Sequence, residues 1–202
     1  MNKKSNFSLI KMLLIFISLS LYHSAISKFF LNEKSSKLMI LNKVKDINGV
    51  TYCLKNKICV FIFIDRECPI SQFYTKILQN IYLKHAKREI IFLAVFPTKY
   101  TPVEDIKLFN KKYQLDIPSV LDDSQNITQK LNATTTPQVF VLNKKQEIYY
   151  YGCIDDSYFA LGKRNLNPTK FYLEDALTSI IKDKKPIISH SKAVGCEIQR
   201  LP

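Results

Sequence analysis

The run "ICVFIFI" at residues 58–64 constrains the fold more than any other stretch of the chain. An unbroken apolar series rich in Ile, Val and Phe, without polar alternation, describes a strand buried on both faces, the habit of a central strand in a helix-covered sheet. It passes directly into "DRECPISQFYT" at 65–75, where Cys68 is followed at once by Pro69. Residues 70–86 then carry Ile70, Phe73, Tyr74, Ile77, Leu78, Ile81 and Tyr82, helical spacing with one apolar stripe.

The same alternation continues downstream. "EIIFLAVF" (89–96) reads as a second buried strand, and "TPVED" (101–105) opens another helix running to about Lys112. There Thr101 is the expected N-cap, Pro102 the first helical residue and Glu104 the closing member of a capping box. "IPSVLDD" is a short strand or turn, and "SQNITQKLN" a short helix. "PQVFVLN" and "EIYYYGCI" are two strands joined by a turn at "NKKQ", and a loop through "NLNPT" leads to the amphipathic helix "KFYLEDALTSIIK" at 170–182. Upstream, Asn48-Gly49 within "KVKDINGVTYCL" (43–54) signals a hairpin. This order implies an α/β fold, with a mixed central sheet and helices on both faces.

The chain's 202 residues suit one domain with ends. Residues 1–27 read as a signal peptide or N-terminal anchor: Lys3, Lys4 and Lys11 precede the apolar run "MLLIFISLSLY", and "AIS" offers small residues at a cleavage site. The run is short for a span of about 20 residues, so export to the periplasm or outside the cell is expected, with membrane anchorage as the alternative. Residues 28–185 form the expected domain, and 186–202 a non-periodic, flexible tail carrying Cys196. The chain is basic, with 30 Lys and Arg against 17 Asp and Glu, but the lysines are dispersed. No basic cluster interleaves with aromatics, which speaks against a nucleic-acid face.

Five cysteines in an exported chain is an odd number, so at least one stays free, or pairs only transiently or between molecules. Cys68 is the candidate nucleophile. It falls where a buried strand hands over to a helix, and there the orphan N–H groups and the helix dipole favour a thiolate. The plain alternative is a buried cysteine packed as a small hydrophobe. Pro69 suits the first helical turn, and Ser71 stands where a dithiol enzyme would carry its second cysteine. "TTTPQVFVL" places Pro137 at the entry to a strand, where proline is tolerated.

Strand, "ECPIS", helix, then "TTTP" before a strand resembles the thioredoxin-like fold, whose active cysteine opens a helix opposite a cis-proline loop. The chain more closely resembles exported redoxins of the alkyl hydroperoxide reductase/thiol-specific antioxidant (AhpC/TSA) superfamily. The motifs "ECPISQFY", "TPQVFVL", "GCIDDSY" and "KAVGCEI" follow in order over about residues 43–198. The resemblance implies thiol-disulfide oxidoreductase activity on protein thiols or disulfides, with Pro69, Ser71, Thr136 and Pro137 forming the substrate-docking groups. Asp155 and Asp156, like Asp122 and Asp123, are paired carboxylates that suit turns and strand ends, and the resemblance adds for the first pair a role in shaping the site. A typical peroxiredoxin has Thr three residues before its cysteine; here that residue is Asp65, so the peroxidase reading lacks one of its groups.

A single nucleophile needs a second thiol to complete its cycle. Cys196 on the tail is the first candidate for resolving Cys68, a structural disulfide pinning the tail is its alternative, and Cys153 at a strand end is the rival resolver. An external thiol reductant would also serve. Cys59 reads as core, and Cys53 belongs to the hairpin. The histidines show no metal-ligand spacing and no cofactor is expected. Two other readings stand beside the oxidoreductase: a thiol peroxidase acting on a small peroxide, and a non-enzymatic module binding a partner or copper.

Overall fold

The computed structural model describes residues 42–85 and 88–201. The expected signal or anchor at 1–27 lies outside the described residues. Among the described residues no helix is long and apolar enough to cross a membrane.

The predicted hairpin forms as β1 (Lys43–Lys45) and β2 (Thr51–Cys53). Its loop is wider than a two-residue turn, because the Asp46 carboxylate accepts the N–H groups of both Asn48 (2.9 Å) and Val50 (2.8 Å). β3 (Ile58–Phe63) is buried along its whole length. It runs parallel to β4 (Ile90–Phe96), which continues parallel to β5 (Ser119–Leu121). On the other side β3 pairs antiparallel with β7 (Gln138–Leu142), and β7 with β8 (Ile148–Gly152). The sheet order is thus β5-β4-β3-β7-β8, a mixed sheet with the apolar run at its centre.

Side chains alternate across β3, as strand geometry requires. Val60 and Ile62, with Ile64 just beyond, join Tyr74 and Leu78 of α1 (Pro69–His85) in one buried cluster. Ile106 of α2 (Val103–Tyr113) and Leu177 of α4 (Tyr172–Ile181) complete it. Cys59, Phe61 and Phe63 project from the opposite face and are equally buried, with Phe63 edge-to-face on Phe140. Cys59 is therefore core, as expected. The short α3 (Asn126–Leu131) contributes Ile127 and Leu131 to the buried interior.

Several expectations need correction. α2 begins at Val103 with Pro102 itself in the cap position, extended, and no side chain caps it; Thr101 is not the N-cap. Residues 158–164, read as loop, form a hairpin of β9 (Tyr158–Ala160) and β10 (Lys163–Arg164), turned at Gly162 with φ of 71°. The tail is not loose. Ser191 N–H donates to Tyr151 C=O (3.0 Å), and Tyr151 N–H to Ser189 C=O (3.1 Å). Further on, β11 (Cys196–Glu197) pairs antiparallel with β6 (Thr135–Thr136).

Because Phe61 sits mid-strand between Leu93 and Phe140 with no exposure, Phe61→Ala should cost about 3–5 kcal/mol in urea unfolding. A loss of under about 1 kcal/mol would contradict the placement of this strand at the centre of the core.

Candidate active site

The chain leaves the sheet at Asp65, since Ile64 N–H still donates to Val95 C=O (3.0 Å). Asp65 then builds the turn. Its carboxylate accepts Glu67 N–H (2.8 Å), its carbonyl accepts Cys68 N–H (3.3 Å), and its own N–H donates to Ser71 Oγ (3.2 Å). Cys68 C=O accepts Gln72 N–H (3.0 Å), so Cys68 caps α1 and Pro69 is its first residue, where a missing N–H costs no bond. Asp65, standing where a peroxiredoxin would have Thr, is occupied in shaping this turn.

The pairing of β3 with β7, Phe63 opposite Gln138, carries the second stretch alongside. The Thr136–Pro137 bond is cis, and the Cys68 thiol, buried, donates to Thr136 C=O at 3.0 Å. Thr136 and Ser71 are buried as well.

β11 completes the arrangement. Cys196 is the register partner of Thr136 and Glu197 of Thr135, and Ile198 N–H donates to Thr134 C=O (2.9 Å). Beyond it, Gln125, buried in the left-handed region at φ of 54°, donates from Nε2 to Gln199 C=O (2.7 Å) and accepts Leu201 N–H at Oε1 (3.1 Å). The Arg200 guanidinium donates to Ala133 C=O (2.7 Å). Gly195 lies so close to the loop that a Cβ would collide with the Thr136 carbonyl and reach within 3.0 Å of Pro137 Cδ. Only glycine permits this approach.

The two thiols differ in acidity because each sees the other. Burial alone would raise Cys68; hydrogen bonds from the Cys196 thiol, from the N–H and hydroxyl of Ser71 and from the Cys196 N–H outweigh it, and its pKa falls below that of an ordinary thiol. Ser71 accepts from Asp65 N–H and so keeps its hydroxyl hydrogen for the sulfur. Cys196 is pushed up to about 12, first by burial, then by its hydrogen bond to Cys68 and by the charge there. The two thiols therefore titrate as a coupled pair, with Cys68 the more acidic member.

Cys153 is placed elsewhere. Its thiol donates to Lys192 C=O (2.7 Å), its N–H to Ser191 Oγ (2.9 Å), and burial raises its pKa. It lines a cavity of about 910 Å³, whereas Cys68 and Cys196 share another of about 460 Å³. Asp155 accepts the Tyr74 hydroxyl (2.6 Å) and Ser157 N–H (2.8 Å), tying α1 to the segment after β8. Asp156 accepts Thr169 and Lys170 N–H groups, which fold the approach to α4. Gln125, Gly195 and Ser191 were not singled out in the sequence. All five cysteines are free, and among the described residues no group of His, Cys, Asp and Glu could hold a metal ion.

The family model of the AhpC/TSA family matches residues 37–151. The chain belongs to the AhpC/TSA family. As a member it is a thiol-dependent oxidoreductase, of the disulfide-exchanging or peroxide-reducing kind. The match ends before Cys153 and Cys196, so the part played by the tail rests on geometry. Among solved structures the fold is similar to a hypothetical protein of Sinorhizobium meliloti 1021, with 20% identity and a TM-score of 0.68, over 79% of this chain and 90% of that one. An uncharacterized conserved protein of Geobacillus kaustophilus gives 20% identity and a TM-score of 0.67, over 79% and 88%. A thiol-disulfide oxidoreductase of Bacteroides fragilis NCTC 9343 gives 15% and 0.50, over 70% and 94%. At these identities the likeness is one of fold, and it bears out the thioredoxin-like expectation. No curated protein matches the chain.

Donors that favour the Cys68 thiolate lower its pKa, so their removal raises it. Followed by thiolate ultraviolet absorbance against Cys68→Ser, Ser71→Ala should ionise Cys68 at higher pH than the parent, and Cys196→Ala at higher pH again. An unchanged or lower midpoint in both variants would contradict this account of the site.

Proposed function

We propose that the protein is a thiol-disulfide oxidoreductase in which Cys68 is the nucleophile and Cys196 the resolving thiol. The observation that carries this reading is the register pairing of Cys196 with Thr136, which sets its thiol against Cys68. The Cys68 thiolate attacks one sulfur of a substrate disulfide, forming a mixed disulfide and releasing the other sulfur as a thiolate. Cys196 then attacks Cys68 Sγ, expelling the substrate's remaining thiolate, which takes up the proton that Cys196 gives up. Two protein thiols are oxidised to one disulfide, and one substrate disulfide is reduced to two thiols.

The ionisation of the pair suits this order. Before capture, Cys68 is the more acidic of the two thiols and ionises first. Once Cys68 is in a mixed disulfide its charge is gone, and with it the Cys68 hydrogen bond and Coulombic repulsion that help hold the Cys196 proton in place; burial and the Asp65 charge remain. The second thiol thus gives up its proton more readily once the first has reacted.

Membership of a family named for hydroperoxide reduction supports a second reading, in which Cys68 attacks a peroxide, becomes a sulfenic acid and is resolved by the same Cys196. Steady consumption of peroxide by the purified protein, lost in Cys68→Ser, selects that reading; exchange with disulfides alone selects the first. The exported compartment also belongs to the proposal, from the basic and apolar start of the chain. Mature protein from the exported fraction should begin near Lys28, and Met1 retained on soluble cytosolic material would contradict it.

Cys68→Ser should abolish exchange, whereas Cys196→Ser should still complete the first half-reaction and accumulate a mixed disulfide at Cys68, seen by intact mass. Adding Ser71→Cys to Cys196→Ser should restore turnover, because residue 71 lies within the same turn of α1. Normal turnover by Cys196→Ser together with trapping in Cys153→Ser would transfer the resolving role to Cys153.

A further inference from the structure

An extended polypeptide docking at the Thr136–Pro137 edge would pair its backbone with Thr136 and present a sulfur to Cys68. The chain's own Cys196 does both. It is the register partner of Thr136, and its thiol perturbs that of Cys68. The segment is held on either side, by Ser191 on Tyr151 before it and by Gln125 and Arg200 after it. Gly195 allows it to lie against the loop with no space left over.

We infer that residues 194–198 are a built-in occupant of the polypeptide-docking edge, so that the substrate of the folded protein is a low-molecular-weight disulfide and not a protein. The inference rests on the thiol-exchange reading of Cys68 and narrows its substrate. A free polypeptide has to displace a tethered competitor whose effective concentration is on the order of millimolar or above. A small disulfide instead enters through the cavity of about 460 Å³ that both thiols line, a volume in the range that holds small ligands. Its charged lining is balanced, with Arg66, Lys99 and Arg200 against Asp65, Glu67 and Glu197. Selection is therefore by size and access and not by charge. The reaction is the exchange described above: the Cys68 thiolate takes one sulfur of the small disulfide, Cys196 closes the internal disulfide, and two small thiols leave.

The test uses the full chain with Cys196→Ser, which keeps the backbone pairing and stops at the mixed disulfide. Capture of Cys68 by glutathione disulfide and by insulin is timed by mass, each rate normalised to that of free cysteine with the same disulfide. Glutathione disulfide should react about 100-fold faster than insulin or more. Adding Gly195→Ala, which forces the segment off Thr136, should raise the insulin rate about tenfold or more while changing the glutathione rate far less. Gln125→Ala, which releases the far end of the segment, provides the same test should Gly195→Ala fail to fold. Equal normalised rates in the starting variant, or a ratio unmoved by both added changes, overturns the inference and leaves the exchange reading standing. Failure of Cys68 to be captured by either disulfide overturns both.

Discussion

The contact on which the site depends is a two-residue one: Cys196 and Glu197 laid antiparallel along Thr135 and Thr136. Everything upstream of it prepares one side. β3 carries the chain to Asp65, the Asp65 turn sets Cys68 at the head of α1, and the β3–β7 ladder brings Thr136 within 3.0 Å of its sulfur. Without β11, Cys68 would be a helix-capping thiol with no internal partner. With it, two thiols line one cavity, and their acidities move in opposite directions.

So short a strand pair holds because its ends are fixed. Two ladder residues alone are a marginal structure in water. Here the buried Gln125 amide grips the chain beyond Cys196, and Ser191 joins it to the edge of the sheet before Cys196. The ordering entropy of the tail is thereby met by bonds distributed over its length, and the thiol in the middle is placed without bonds of its own to spare. The same arrangement uses up the edge that would otherwise receive a partner's backbone.

Much of this was legible in the sequence, and the rest was hidden for physical reasons. The apolar run 58–64, the strand-to-helix position of Cys68 and the proline opening a strand at 137 all follow rules of local periodicity and capping, and the sheet and the site's nearer half came from them. Cys196 was found as a candidate through its residue type, but its tail has no period because it pairs through two residues only. Gly195 carries no signal of its own in the sequence. Its real contribution is the absence of a Cβ beside Thr136, a matter of tertiary distance that no local pattern records. Gln125 carries no motif at all, since an amide becomes a clamp only when the fold buries it beneath another segment. The "YFALGKR" hairpin was missed because its outward side chains, Phe159 and Leu161, are apolar and exposed, and blur the alternation.

The catalytic cycle turns on which thiol meets Cys68 when the protein is oxidised. Mass-spectrometric mapping of the full chain, after titration with one equivalent of a mild thiol oxidant, tests this directly. A Cys68–Cys196 disulfide within single chains, with Cys53, Cys59 and Cys153 still reduced, is the predicted result. A Cys68–Cys153 linkage, or Cys68 bridged only to another chain while Cys196 stays free, would contradict it.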